Sequence, residues 1–135
     1  MEKINWSPEY SVGVGKIDEQ HKRLILMLNR LHDTIEATTS SEAIAELITQ
    51  MLTYGQEHFK TEENLLAEHR FPLFDQHKLC HVNYRKKVAD LCMASAIDVP
   101  EVPQVMLNFL TEWWRNHILK EDMTYKPFFN EKGIY

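Results

Sequence analysis

The chain has 135 residues, 44% of them hydrophobic and 26% charged, which suits one globular domain over residues 1–135 with a sizeable core. Its net charge of −5, with no basic stripe beyond "RKK" at 85–87, argues against nucleic acid or an anionic membrane as the main partner. No apolar run is long enough to span a membrane and "MEKINWSPEY" lacks the pattern of a signal peptide, so the expectation is a cytoplasmic protein without membrane insertion.

Four Gly and five Pro are few, which favours helices over a turn-rich β fold. After an irregular arm, residues 18 to about 38 carry Leu24, Ile25, Leu28, Leu31 and Ile35 on one helical stripe, with His21 near its start. A second helix follows "ATTSSE", where Thr39 and Glu42 have capping-box spacing. It runs through Ile44, Leu47, Ile48, Met51 and Leu52 to Gly55, His58, Glu62 and Leu65. "EHRFP" ends it, and Pro72 is placed to open a third helix in its first turn. That helix carries Phe74, His77, His81, Tyr84, Val88 and Leu91 on one face. The connection "IDVPEVP" leads to a fourth helix with Val105, Met106, Phe109, Trp113 and His117 facing inward, and an irregular tail follows from about 121. Short connections make neighbouring helices antiparallel. The expected fold is all-α: an antiparallel up-down-up-down four-helix bundle with an irregular N-terminal arm and C-terminal tail. Cys80 and Cys92, on one helix and roughly 18 Å apart, are too distant for a disulfide and read as buried free thiols.

The apolar faces hold polar residues where a plain core would have none. His58 and Glu62 are four apart, as are His77 and His81, so each pair aims at one point. Antiparallel packing brings His21, His58, Glu62, His77, His81 and His117 to one end of the bundle. A lone buried histidine is usually a hydrogen-bonded core residue. Five with a glutamate at matched height would leave many buried groups unpaired, and a metal satisfies them together. By ligand type the metal is iron, zinc, copper or nickel. Five imidazoles exceed one tetrahedral zinc site, and two ions bridged by carboxylates use them all.

Trp6, "VGVGKIDEQHKRL" at 12–24, "HFKTEE" at 58–63, "HKLCH" at 77–81 and "WWRNHILKED" at 113–122 with Tyr125 beyond match, in order and spacing, the hemerythrin family. Over nearly its full length the chain resembles the single-domain bacterial hemerythrins. The resemblance implies two iron ions in an oxo- or hydroxo-bridged non-heme di-iron centre. His77, His81 and His117 would hold one iron, His21 and His58 the other, and Glu62 and Asp122 would bridge them. It implies reversible binding of dioxygen at the less-coordinated iron, for carriage, storage or delivery, and no enzymatic role. The alternatives are an oxygen or redox sensor, or a di-iron enzyme acting on peroxide or nitric oxide. An oxygen-consuming enzyme or a signalling partner would be the protein counterpart.

Phe59, Trp113 and Ile118 match pocket residues of the family, and an apolar wall would keep water from the centre. Trp114 departs from the leucine that family members commonly carry three residues before the last histidine. One turn before His117, it is placed to narrow, seal or redirect access to the pocket. His32 lies about three turns from His21, roughly 16 Å away, and reads as structural. His69 and Glu63 read as solvated, and Cys80 as a residue outside the ligand set. Helix arithmetic pairs His117 with Glu121, whereas the resemblance chooses Asp122, about 140° away on an ideal helix. A wide turn or helix end at 118–122, with Glu121 facing solvent, is therefore expected.

Overall fold

A computed structural model describes residues 3–37, 41–96 and 102–135. Four long helices dominate it: α1 (Gly15–Ala37), α2 (Ser41–Glu68), α3 (Phe74–Ala96) and α4 (Val102–Asn116). Around the bundle, α1 packs on α2 and α4, and α3 packs on the same two helices. This is the expected all-α four-helix bundle. The Thr39–Glu42 capping pair and most of "IDVPEVP" lie outside the described residues.

The bundle forms because each helix buries one stripe. Leu24, Ile25, Leu28 and Leu31 of α1 meet Met51 and Phe59 of α2, Tyr84 of α3, and Met106, Leu107, Leu110 and Trp114 of α4. Each fully buried leucine contributes roughly 1.5–3 kcal/mol relative to exposure. A second, smaller core lies at the opposite side of the polar cluster, where Val12, Val14, Ile17, Leu66, Phe71, Tyr125 and Phe129 pack together.

The turn from α2 to α3 is tight. Phe71 N–H donates to Leu66 C=O at 2.9 Å and Arg70 N–H to Ala67 C=O at 3.2 Å, a Schellman closure with Arg70 in the left-handed region at φ 56°. Pro72 sits in the turn ahead of α3 and not in its first helical turn, because Phe71 is still occupied in closing α2.

Both chain ends are more ordered than the sequence implies. In the arm, a 3-10 turn spans Pro8–Tyr10, Asn29 clamps the Ile4 backbone on both sides, and Asp18 accepts from the Val12 N–H and the Ser11 hydroxyl. Beyond α4 the backbone widens to a π-turn at His117–Glu121, tightens to a 3-10 turn at Asp122–Thr124, and ends in a short helix α5 (Lys126–Glu131). Pro127 suits the first turn of α5, and Phe129 anchors it in the second core. Lys126 Nζ donates to Ser11 C=O at 3.0 Å. Gly13, at φ 74°, faces Asn130 so closely that a Cβ would stand 2.9 Å from Oδ1. The two ends thus meet beneath the polar cluster.

Among the described residues no helix is long and apolar enough to cross a membrane. Cys80 and Cys92 are free, but Cys92 is exposed and Cys80 half-buried, because both lie off the packed face of α3.

Candidate metal centre

Every polar residue expected at one end of the bundle is there. α1 brings His21, α2 brings His58 and Glu62, α3 brings His77 and His81, and the π-turn after α4 brings His117 and leads to Asp122; all seven are buried. They form two groups that share Glu62. Donor atoms of Glu62, His77, His81 and His117 lie within 4.8 Å of one another, as do those of His21, His58, Glu62 and Asp122.

The carboxylates stand between the groups. Glu62 Oε1 faces His81 Nε2 at 3.2 Å and is in close contact with His77 Nε2, while Oε2 faces His58 Nε2 at 3.2 Å. Asp122 Oδ1 faces His117 Nε2 at 3.0 Å and His77 Nε2 at 3.1 Å, while Oδ2 faces His21 Nε2 at 3.0 Å. Each carboxylate therefore turns one oxygen to each histidine group.

The π-turn explains how Asp122 arrives. Its N–H donates to His117 C=O, five residues back, which removes the offset of a regular helix. Glu121 is exposed, as expected, and lies near Cys80. Burial and the Glu121 charge push the Cys80 thiol up from its ordinary value, so it is not an activated nucleophile.

The donor set fits a metal better than it fits hydrogen bonds. His21 Nε2 and His58 Nε2 approach to 3.0 Å, and His81 Nε2 and His117 Nε2 to 3.3 Å, although two neutral imidazoles cannot both present lone pairs to each other. Both Asp122 oxygens are buried and close to ring nitrogens, yet neither closes a hydrogen bond. These atoms converge on common points and do not pair off. Imidazole nitrogens with carboxylate oxygens suit iron and other borderline transition metals.

Charge is concentrated accordingly. Burial alone would raise Glu62, but the imidazoles that face it, His117, His58, His77 and His81, hold it well below the usual carboxylate range. Burial and the Glu62 charge would likewise raise Asp122, and the His117 charge, with the His117 and His21 ring nitrogens each 3.0 Å from one of its oxygens, brings it down. Burial lowers His58, against the pull of the facing Glu62 carboxylate, and favours its neutral form.

A second ring of residues supports the first. Tyr125 donates from Oη to Glu62 Oε2 at 3.0 Å, and burial with the nearby carboxylate charges keeps the phenol protonated. His58 Nδ1–H donates to Gln20 Oε1 at 2.7 Å, and His81 Nδ1–H to Glu63 Oε2 at 2.9 Å. Gln20 lies off the apolar stripe of α1, which gives it no sequence signal, and Glu63 is largely shielded where solvation is expected. About 100° from Glu62 on α2 lies the flank that meets α3, and in a bundle that flank is an interface. A carboxylate directly after a ligand, on a helix with neighbours on both sides, was the available signal.

The four pocket residues divide over the two groups. Trp113 is half-buried and stacks on His117 with ring centroids 4.3 Å apart at 13°. Phe59 stacks on His81 at 3.9 Å, and Ile118 is fully buried beside it in the main core. Trp114 is fully buried on the two-histidine side, 5.7 Å from the His58 ring and stacked on Phe59 at 5.2 Å. Its N–H lies beside the Tyr84 hydroxyl, but neither closes a hydrogen bond. Gly55 of α2 makes room for it, since a Cβ there would lie 3.3 Å from Trp114 Cζ2.

The other histidines stand apart. His32 lies on α1 beside Asp33 and Glu36, its ring nitrogens 3.9 and 3.7 Å from their oxygens. His69 is half-buried with its ring edge-on to Phe129, 5.7 Å away, where solvation was expected, because α5 returns over the α2–α3 turn.

By architecture and donor chemistry the molecule falls among the metal-binding helical bundles. The comparison with known families narrows that class: the Hemerythrin HHE cation binding domain matches residues 12–129, and the chain belongs to the hemerythrin family as an iron protein of hemerythrin type. It is 32% identical over 127 residues to the bacteriohemerythrin of Stenotrophomonas maltophilia (strain R551-3), covering 93% of this chain and 80% of that protein. It is 34% identical over 128 residues to the bacteriohemerythrin of Methylococcus capsulatus (strain Bath), covering 94% and 97%. A crystal structure of wild-type hemerythrin superposes with a TM-score of 0.85 at 32% identity, covering 93% of this chain and 97% of that one.

Proposed function

We propose that this chain is a single-domain protein that binds dioxygen reversibly at a pair of irons, as a carrier, store or delivery protein and not as an enzyme. The observation that carries the reading is the arrangement of the two carboxylates: Glu62 turns one oxygen to His77 and His81 and the other to His58, and Asp122 turns one to His77 and His117 and the other to His21. On this reading His77, His81 and His117 would hold one iron, His21 and His58 the other, and Glu62 and Asp122 would be shared between them. When bound, the iron pair supplies two electrons and one coordination position for the gas. Everything else falls to the chain.

Its residues have three tasks. Gln20 and Glu63 accept from the Nδ1–H of His58 and His81, so the Nε2 lone pairs face inward. Tyr125 holds the Glu62 carboxylate by a hydrogen bond. Phe59, Trp113, Trp114 and Ile118 form the apolar wall that keeps water and stray protons from the bound gas. A histidine-rich donor set without the Glu-x-x-His pairs of carboxylate-rich di-iron proteins favours binding over oxidation chemistry.

Anaerobic loading followed by oxygen titration tests the reading. Two irons per chain and an absorption band that appears with oxygen and disappears on deoxygenation are expected. Immediate and irreversible oxidation on first exposure, or turnover of peroxide or nitric oxide, would replace it with the enzyme alternative.

A further inference from the structure

The two histidine groups differ in what stands behind them. Behind His81 the acceptor is the Glu63 carboxylate, at 2.9 Å. Behind His58 it is the neutral Gln20 amide, at 2.7 Å, itself tied to Thr61 at 3.2 Å. Glu63 is only 16% exposed, and Arg85 Nη2 lies 3.6 Å from the same carboxylate oxygen. Arg85 is anchored in turn. Its Nε donates to Gln56 Oε1 at 2.7 Å, and its guanidinium sits 5.4 Å from the centre of the Phe59 ring that stacks on His81. A carboxylate accepting from an imidazole N–H pushes electron density through the ring toward a metal on its far side, which favours the higher metal charge. An amide fixes the same tautomer with a weaker push, because it carries no charge.

We propose that Glu63 is a positioning residue that lowers the reduction potential of the centre from the three-histidine side, that Arg85 limits this effect, and that Gln20 gives the two-histidine side only the weaker push of a neutral amide. The inference rests on the two-iron reading above and adds a division of labour to it. The metal with three imidazoles is biased toward giving up its electron, while its neighbour keeps a weaker push and serves ligand exchange. Arg85 partly neutralises Glu63, so the bias stops short of leaving the protein permanently oxidised.

The test is the midpoint potential of the iron-loaded full chain, measured without oxygen using redox mediators, with iron content determined for each variant. Glu63→Gln keeps an acceptor of the same shape and should shift the one-electron equilibrium about tenfold toward the reduced form, about 59 mV for such a couple. Arg85→Gln and Gln20→Glu should each move it in the opposite direction. A purely structural role predicts lost iron or stability in the variants with no such reversal of sign. A loaded wild type whose potential Glu63→Gln leaves unchanged, or moves the same way as Arg85→Gln, overturns this inference alone. A wild-type chain that does not take up two irons overturns it together with the reading it rests on. Should Glu63→Gln fail to fold, Arg85→Gln decides: a lowered potential supports the inference, and an unchanged or raised one overturns it.

Discussion

The same pair of donors, an imidazole and a carboxylate, reaches the centre from two different backbones. On α2, His58 and Glu62 are four residues apart in regular helix, and both point inward without any distortion. At the end of α4, His117 and Asp122 are five apart, and the second carboxylate arrives only because the backbone opens into a π-turn. The comparison teaches what an irregular turn can achieve. A second regular pair would have repeated the first geometry, whereas the wide turn sets Asp122 opposite Glu62 so that both can span the two histidine groups. The hydrogen-bond regularity given up over one turn is offset by a second carboxylate standing between the two histidine groups.

The largest expected effect comes from replacing the two neighbouring acids in turn. Asp122→Ala should abolish two-iron loading, while Glu121→Ala should leave iron content unchanged, as measured by metal analysis after anaerobic reconstitution. Equal losses would mean that the π-turn does not select the ligand. Proton release gives the next largest signal. Burial alone would lower both rings, but in the metal-free chain the facing Asp122 and Glu62 carboxylates hold His77 up to about 11 and His117 up to about 9. Metal ligation needs neutral rings, so loading near pH 7 should release about two protons per chain, readable by calorimetry in buffers of different ionisation enthalpy.

The same shifts fix how metal-free stability depends on pH. Groups raised on folding stabilise below their unfolded value, about 6.5 for histidine, and lose that contribution as pH climbs through the folded value. The metal-free chain should therefore weaken progressively from about pH 7 toward pH 11. Glu62 and Asp122 are depressed, so their contribution is present at neutral pH and is lost only as pH falls below the usual carboxylate range. Metal-free protein that is more stable at about pH 9 than at about pH 6.5 would contradict this assignment.

Smaller effects concern the contacts that hold the two backbones together. Trp114→Leu should cost about 2 kcal/mol in denaturant unfolding, less than full truncation of a buried tryptophan, and should speed both oxygen entry and oxidation of the reduced protein. Tyr125→Phe removes the one donor that crosses from the segment after the π-turn to Glu62 on α2, for about 1–2 kcal/mol. Gly55→Ala should be less favourable in the native background than once Trp114 is leucine, where the helix gains up to about 1 kcal/mol from alanine's higher propensity, a coupling that a double-mutant cycle reads directly.

What was legible in the sequence follows from the period of a regular helix. Stripes such as Leu24, Leu28 and Leu31, and pairs such as His77 and His81, announce themselves because every residue keeps the same 3.6-residue rhythm. Asp122 breaks that rhythm, so residue spacing favoured Glu121 and only the resemblance to hemerythrins pointed past it. Glu63 and Gln20 escaped for another reason. They lie on helix flanks, and whether a flank meets solvent or a neighbour depends on packing that no single stripe encodes. The short helix α5 was hidden likewise, since Phe128 and Phe129 read as tail residues until the second core is assembled around them.

The meeting of the chain ends beneath the centre bears on how the protein can be handled. Lys126 reaches back to Ser11, and Gly13 leaves no space between itself and Asn130. Val12 and Phe129 share one apolar plug under Tyr125, whose hydroxyl holds Glu62. A protease cut between residues 11 and 13, or between 126 and 130, should therefore weaken the support of Glu62 through this plug. Fusions should be separated from residue 12 on one side and residue 129 on the other by a flexible spacer, and preparations that lose iron after proteolysis should be checked first for trimming at these ends.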